Sequence, residues 1–305
     1  MNIIEYIDQD YAGHGLQSQK LYLAVPKHGI ASASSIPVVV YIHGGGWIGG
    51  NFAAGARGLA TERADAAAFL EAGYAVAIIN YRLSTEAKWT AQIHDCKAAI
   101  RFLRANAARY GIDPERIVAW GASAGAHLAQ FMGLTNDDLR YEGPATAFPE
   151  ANRASSRVNL VISAFGIADI ARWALPGSRN LEVEGYKSML LGDHYTEAQA
   201  KDASPIERID ALAPGSMVPM LLMHADNDDL VPCEQTHWLE QRLRDAGYGD
   251  RIETWYPHIG GHGDPAVWRS PAATSRFVSF CDRHLDATTE SDLLRAISLG
   301  LGSAA

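Results

Sequence analysis

Five apolar, β-branched runs constrain this chain more than any other feature: residues 38–43, 75–80, 117–120, 159–164 and 220–225. They are near-continuous rather than alternating, which is the signature of strands covered on both faces of a parallel sheet. Helical patterns lie between them. In the clearest, Trp89, Ile93, Cys96, Ile100, Leu103, Ala107 and Tyr110 fall on one face, with Lys97, Arg101 and Arg104 off that stripe. Gly111 then supplies a stop, and Asp113-Pro114 leads toward the next strand. Strands alternating with helices imply right-handed crossovers and a doubly wound sheet. Three further runs, at 3–7, 20–25 and 251–256, bring the expected strand count to eight. The predicted fold class is therefore α/β, a mostly parallel sheet with helices on both faces.

At 305 residues, one large domain accommodates this pattern, and residues 1–305 are read as such. Two stretches interrupt the alternation: 136–157, rich in Asp, Pro and Ala, and 166–204, which holds Trp173, Tyr186 and Tyr195. Long insertions beyond the carboxyl ends of central strands lie where open α/β sheets place their ligands, so both are expected to form a pocket wall, the second as a small cap. In the tail, Leu293, Leu294, Ile297 and Leu299 recur at helical spacing and are expected to dock on the body.

Charge excludes one class of partner. With 26 basic and 35 acidic side chains the formal charge is -9, and no Lys/Arg run could track a phosphate backbone, so nucleic acid is not expected. Cys96, Cys233 and Cys281 form no CxxC pair and are read as buried thiols, with no metal site and no disulfide framework. The N-terminus carries acids where a signal peptide carries bases, and no apolar run reaches membrane-spanning length. A cytoplasmic protein without a membrane span is the expectation; the oligomeric state is not legible.

The chemistry concentrates at Gly121-Ala122-Ser123-Ala124-Gly125. Here a strand passes through a G-x-S-x-G turn into a helix, a context that holds a serine hydroxyl at the top of a sheet. Ser123 could instead merely cap the helix, but that leaves the paired glycines without a purpose. Upstream, the strand at 38–42 runs into His43-Gly44-Gly45-Gly46-Trp47. Successive glycines let backbone N–H groups turn toward a developing oxyanion. The loop matches neither a GxxxxGK[ST] phosphate loop nor a dinucleotide fingerprint.

A serine nucleophile needs a base. Of the 11 histidines, His262 is the best placed, in a glycine-flanked loop after the strand at 251–256. His258 follows Pro257 without that freedom. His127, one turn past Ser123, reads as a packed, hydrogen-bonded side chain, and His43 as a brace for the glycine loop. His94, His224, His237 and His284 lie in or beside regular elements and are read as structural. The base in turn needs a carboxylate. The acid-rich turn after the strand at 220–225 offers Asp226, Asp228 and Asp229, of which Asp228 is chosen, three residues before Val231-Pro232. The order Ser123, Asp228, His262 matches an α/β-hydrolase and differs from both unrelated serine-protease folds.

With these residues in view the chain resembles the bacterial α/β-hydrolases grouped with feruloyl esterases, acetylxylan esterases and hormone-sensitive-lipase-like carboxylesterases. The resemblance rests on HGGGW, Ile79-Asn80-Tyr81-Arg82-Leu83, Ala91-Gln92-Ile93-His94-Asp95, GASAGAHLA, Ala203-Ser204-Pro205-Ile206 and the turn at Asp228, in order. It implies Ser123, Asp228 and His262 as a triad, with the backbone N–H groups of Gly45, Gly46 and Ala124 as the oxyanion hole. Relatives often carry an acidic residue before the nucleophile and glycine at the helix start, where this chain has Ala122 and Ala126.

The expected function is hydrolysis of a small-molecule carboxylic ester, of short acyl chain or small aromatic type, through an acyl-enzyme and without metal or organic cofactor. Trp47, beside the oxyanion loop, and Trp173 and Tyr186 in the second insertion are the expected substrate contacts; Trp89 and Trp268 are weaker candidates. An arylformamidase acting on N-formyl amides would use the same groups. A prolyl-oligopeptidase-type peptidase would need a propeller domain that this chain lacks. A non-catalytic binding member of the fold would usually have lost one of the three residues.

Overall fold

The computed structural model describes residues 1–27, 36–51, 64–136 and 138–300, with side chains in the last helix described as far as Leu285. All eight expected strands are present: β1 (Ile3–Asp10), β2 (Lys20–Pro26), β3 (Ile36–Ile42), β4 (Ala75–Ile79), β5 (Ile112–Ala122), β6 (Leu160–Ala164), β7 (Met220–Met223) and β8 (Ile252–Trp255). They form one sheet in the order β1-β2-β4-β3-β5-β6-β7-β8. β2 runs antiparallel to both β1 and β4, while every pairing from β4 to β8 is parallel. β5 begins earlier than its apolar run, because Ile112 pairs with Ile36 before Asp113-Pro114 interrupts the register.

Successive side chains of a strand point to opposite faces, and here both faces are dry. Val38 and Val40, Ala119, Val161 and Leu222 pack in one buried cluster. Val39 and Tyr41, Val118, Ile162 and Leu221 pack in the other. Three helices cover the first face: α2 (Ala91–Ala105), α3 (Ala124–Leu134) and α5 (Glu234–Asp245). The second face is covered by α1 (Ala64–Glu71) and α6 (Pro271–Gly300), through Phe69, Leu70, Phe277 and Phe280. The backbone of α6 stays helical to Gly300, but the side chains of Leu293, Leu294, Ile297 and Leu299, expected to dock, lie outside the described residues. Among the described residues no helix is long and apolar enough to cross a membrane.

The apolar stripe of α2 is buried as its spacing predicts, yet Lys97 and Arg101, off that stripe, are buried too. Residues 136–157 are the cause, because they fold back over this second face. The Lys97 ammonium donates to the Thr135 carbonyl at 2.6 Å and to Glu142 at 3.0 Å, and Arg101 pairs with Glu142 as well. Arg104 donates to the carbonyls of Pro114, Ser155 and Arg157. Burying a cation without such partners would cost several kcal/mol.

Candidate active site

Three parallel strands end side by side beneath the site. β3 delivers the loop His43–Trp47, its neighbour β5 delivers Ser123, and β6, next again, delivers Phe165. Ser123 sits between β5 and α3 at φ 56° and ψ -122°, a conformation that a side chain other than glycine adopts only under strain. The two motif glycines are required by crowding. A Cβ on Gly121 would strike the carbonyl of Gly125, and a Cβ on Gly125 would strike the carbonyl of Ile42. The Ser123 N–H donates to the Ala164 carbonyl at 2.9 Å, tying the turn to β6. Its hydroxyl makes no capping bond to α3; the capping role weighed for it is not the one it takes.

Instead the Ser123 hydroxyl lies 2.9 Å from Nε2 of His262. On the other side of the ring, Nδ1 lies 2.8 Å from Oδ2 of Asp228. An ionised carboxylate only accepts, so the proton sits on Nδ1 and the lone pair of Nε2 faces the serine hydroxyl. The loop that carries His262 is pinned at several points: Gly261 N–H donates to Asn227 Oδ1 at 3.0 Å, and the Trp268 indole donates to the Gly260 carbonyl at 3.2 Å. The Phe165 ring meets the His262 ring edge-on at 5.0 Å.

Asp228 follows β7 and is buried. Burial alone would raise its pKa, but the bonds from His224 and His262, the charge of His262 and the Val231 N–H outweigh it and hold the carboxyl well below the usual range. Its Oδ1 accepts from the N–H groups of Leu230 and Val231 at 3.0 and 2.9 Å. The neighbouring aspartates face elsewhere: Asp226 pairs with His258 at 2.6 Å, and Asp229 with Arg179 at 3.3 Å. That pairing takes His258 away from Ser123.

The other nearby histidines are braces. His43 Nδ1 bonds the Gly44 carbonyl at 2.8 Å and its ring stacks on Tyr81 at 4.3 Å; burial lowers its pKa to about 4, the carbonyl bond opposing in part. His127 donates from Nε2 to the Ala203 carbonyl at 2.7 Å and is likewise pushed down to about 4 by burial. Both are uncharged at neutral pH. Cys96, Cys233 and Cys281 are buried and unpaired as thiols.

In the glycine loop, the Gly45 carbonyl accepts from the N–H groups of Ile48 and Gly49 at 3.1 and 3.0 Å. Among the described residues the N–H groups of Gly45 and Gly46 make no backbone hydrogen bond. Ala124 is the first residue of α3, where helix N–H groups have no intrahelical acceptor.

These groups open on a cavity of about 330 Å³ whose lining includes Ser123, His262 and Gly44 to Trp47. Trp47, Trp173 and Tyr186 all line it, as does Trp268. Trp173 and Tyr186 stack at 5.8 Å, and the Trp173 indole donates to the Leu230 carbonyl at 3.2 Å. Tyr186 belongs to α4 (Asn180–Leu191), within the second insertion, and its ring lies so close to Gly46 that a Cβ there would overlap it. Trp89 is not part of the lining; it packs on Phe131 at 4.8 Å. Among the described residues none that lines this cavity comes from 136–157, where Glu142 instead pairs with the cations of α2. Tyr41, Trp120, Arg269 and Phe277 also line the cavity and carry no sequence motif that marks them, whereas Phe165, which lines it too, opens the segment Phe165-Gly166-Ile167-Ala168-Asp169 that shares in the family resemblance.

The eight-stranded sheet, the strained serine turn and the Ser123–His262–Asp228 chain of hydrogen bonds define the class as α/β-hydrolase. Within that class the chain belongs to the BD-FAE family, whose model matches residues 23–243. Among curated proteins it is 31% identical to the probable carboxylic ester hydrolase LipM of Mycobacterium tuberculosis, over 68% of this chain and 45% of LipM. It is also 31% identical to the esterase LipC of the same organism, over 74% of this chain and 52% of LipC. The chain thus spans about half the length of the curated relatives it matches. Among solved structures, a truncated carbohydrate esterase from gut microbiota superposes with a TM-score of 0.76 at 28% identity, covering 92% of this chain and 96% of that one.

Proposed function

We propose that the protein is a serine carboxylesterase that hydrolyses short-acyl or small aromatic carboxylic esters through an acyl-enzyme. The observation that carries this reading is the continuous line from the Ser123 hydroxyl through His262 to the buried Asp228, at 2.9 and 2.8 Å. Ser123 Oγ attacks the ester carbonyl carbon while its proton passes to His262 Nε2, and Asp228 stabilises the imidazolium that forms. The carbonyl oxygen becomes an oxyanion facing the N–H groups of Gly45, Gly46 and Ala124. As the tetrahedral intermediate collapses, the C–O bond to the alcohol breaks and the alkoxide takes the proton from Nε2. Water then repeats the sequence on the acyl-enzyme, releasing the acid and restoring the Ser123 hydroxyl.

Trp47, Trp173 and Tyr186 bound the space available to the substrate. A 330 Å³ cavity walled by aromatic rings suits a compact acyl or aryl group rather than a long lipid chain. The similarity to LipM, LipC and the gut carbohydrate esterase, each named for ester chemistry, supports this reading.

The test is hydrolysis of p-nitrophenyl acetate by the wild type and by Ser123→Ala. Turnover should fall by roughly 10³-fold or more with the fold retained. Undiminished activity in the variant would end the proposal. Turnover of an N-formyl arylamide in preference to the ester would replace it with the formamidase reading.

A further inference from the structure

One buried titratable side chain beside the site has no part in the chemistry just described. His224, the first residue after β7, is fully buried, and its Nε2 lies 3.2 Å from Oδ2 of Asp228, the oxygen that also bonds His262. The same Nε2 lies 2.8 Å from the Val231 carbonyl. A carbonyl can only accept, so Nε2 carries a proton and donates it to Val231, with Oδ2 of Asp228 3.2 Å from the same nitrogen. On the far side of the ring, Nδ1 lies 2.7 Å from the Thr236 hydroxyl at the start of α5, and the His224 N–H donates to the Trp255 carbonyl at 3.1 Å. The ring is therefore held on both edges and at its backbone.

The geometry points to His224 as a positioning residue for the reaction, one that fixes Asp228 and restrains the charge it offers to His262; this rests on the triad reading above. With the Leu230 and Val231 N–H groups on Oδ1, the His262 ring on Oδ2 and the His224 ring 3.2 Å from that same oxygen, Asp228 is enclosed by four donor groups. A carboxylate so saturated cannot rotate without breaking bonds in a dry site. Its negative charge is also shared among donors rather than directed wholly at His262. The base is thereby held in place with its Nε2 facing the Ser123 hydroxyl.

The other titratable groups around the pair are engaged elsewhere. Cys233 has its Sγ 3.8 Å from Nε2 of His237 and 4.0 Å from Oδ1 of Asp226, and Asp226 is paired with the exposed His258. Arg179, the cation that reaches this turn, is paired with Asp229. No other charged group competes with His262 for Oδ2 of Asp228 among the described residues.

The sign of the effect follows. Without the Nε2 donor, more of the carboxylate's charge falls on His262, its imidazolium is stabilised, and the acid limb of the kcat/KM profile moves to higher pH. Loss of packing alone would loosen the Asp228–His262 bond and move the limb the other way or leave it still.

The experiment is the pH profile of p-nitrophenyl acetate hydrolysis for the wild type, His224→Leu and His224→Gln. His224→Leu should lower kcat roughly 10-fold with KM little changed, as small misplacement of a catalytic group does, and should shift the acid limb upward. His224→Gln, which keeps a side-chain N–H, should restore the limb. If His224→Leu does not fold, Thr236→Val, which frees the ring from its outer partner, should give a smaller shift in the same direction. A limb that stays in place or moves down in whichever of His224→Leu and Thr236→Val folds overturns the inference, provided Ser123→Ala is inactive. Activity surviving in Ser123→Ala would overturn the triad reading beneath it instead.

Discussion

Asp228 shows what a single side chain contributes both to the chemistry and to stability. Its folded pKa is depressed by the donors around it against the opposing pull of burial, so its stabilising effect is present above the ordinary carboxylate value of about 4 and is lost as pH falls through the lower folded value. Urea unfolding at neutral pH and near pH 3 should therefore show a smaller acid loss in Asp228→Asn than in the wild type. The same variant should lose roughly 10³- to 10⁴-fold in kcat, because an amide can stabilise the wrong tautomer of His262. An acid loss of equal size in both proteins would remove the linkage assigned to this carboxylate. Ser123, Asp228 and His262 were legible because each stands in a turn whose glycine, proline or aspartate pattern encodes backbone shape. His224 gives no such sign, since nothing in its own segment announces that it lies beside the oxygen bonded by His262. Tyr41, Trp120 and Phe277 were equally silent: an aromatic residue inside a strand or helix reads as core until the sheet order is known.

At the scale of the element, the serine turn is governed by close approach. Gly125→Ala would place a methyl group against the Ile42 carbonyl, and α3 would have to move away from β3. We expect this variant to lose esterase activity even where circular dichroism shows a folded protein; wild-type turnover would mean the turn tolerates more space than the contacts allow. In the second insertion Trp173 and Tyr186 stack on each other and line the cavity beside the glycine loop. Residues 136–157 serve α2. Glu142→Ala would leave Lys97 and Arg101 buried side by side without the carboxylate they share, and should cost about 3 kcal/mol in unfolding free energy. A loss under about 0.5 kcal/mol, as for an exposed pair, would show the cluster to be solvated. The burial of Lys97 and Arg101 was not legible because helical periodicity identifies one apolar face, whereas here a distant segment covers a second.

Across the whole molecule, eight strands and their alternation with helices were written in the apolar runs, but their lateral order was not. Pairing β5 between β3 and β6 is what brings the glycine loop, the serine turn and Phe165 together at one edge of the cavity. That cavity, at about 330 Å³, sets the expected substrate range. Acetyl and butyryl p-nitrophenyl esters should be turned over roughly 100-fold faster in kcat/KM than the palmitoyl ester, whose long chain is the poorer fit to a pocket of this size; an optimum on the long chain would contradict the assignment of Trp47, Trp173 and Tyr186 as its walls. The central claim concerns one oxygen atom, and it is tested most directly by reacting the protein with a fluorophosphonate and mapping the adduct by peptide mass spectrometry. A single adduct on Ser123, absent from Ser123→Ala and strongly slowed in His262→Ala, is the predicted result, whereas labelling of another residue, or none in an esterase-active sample, would contradict it.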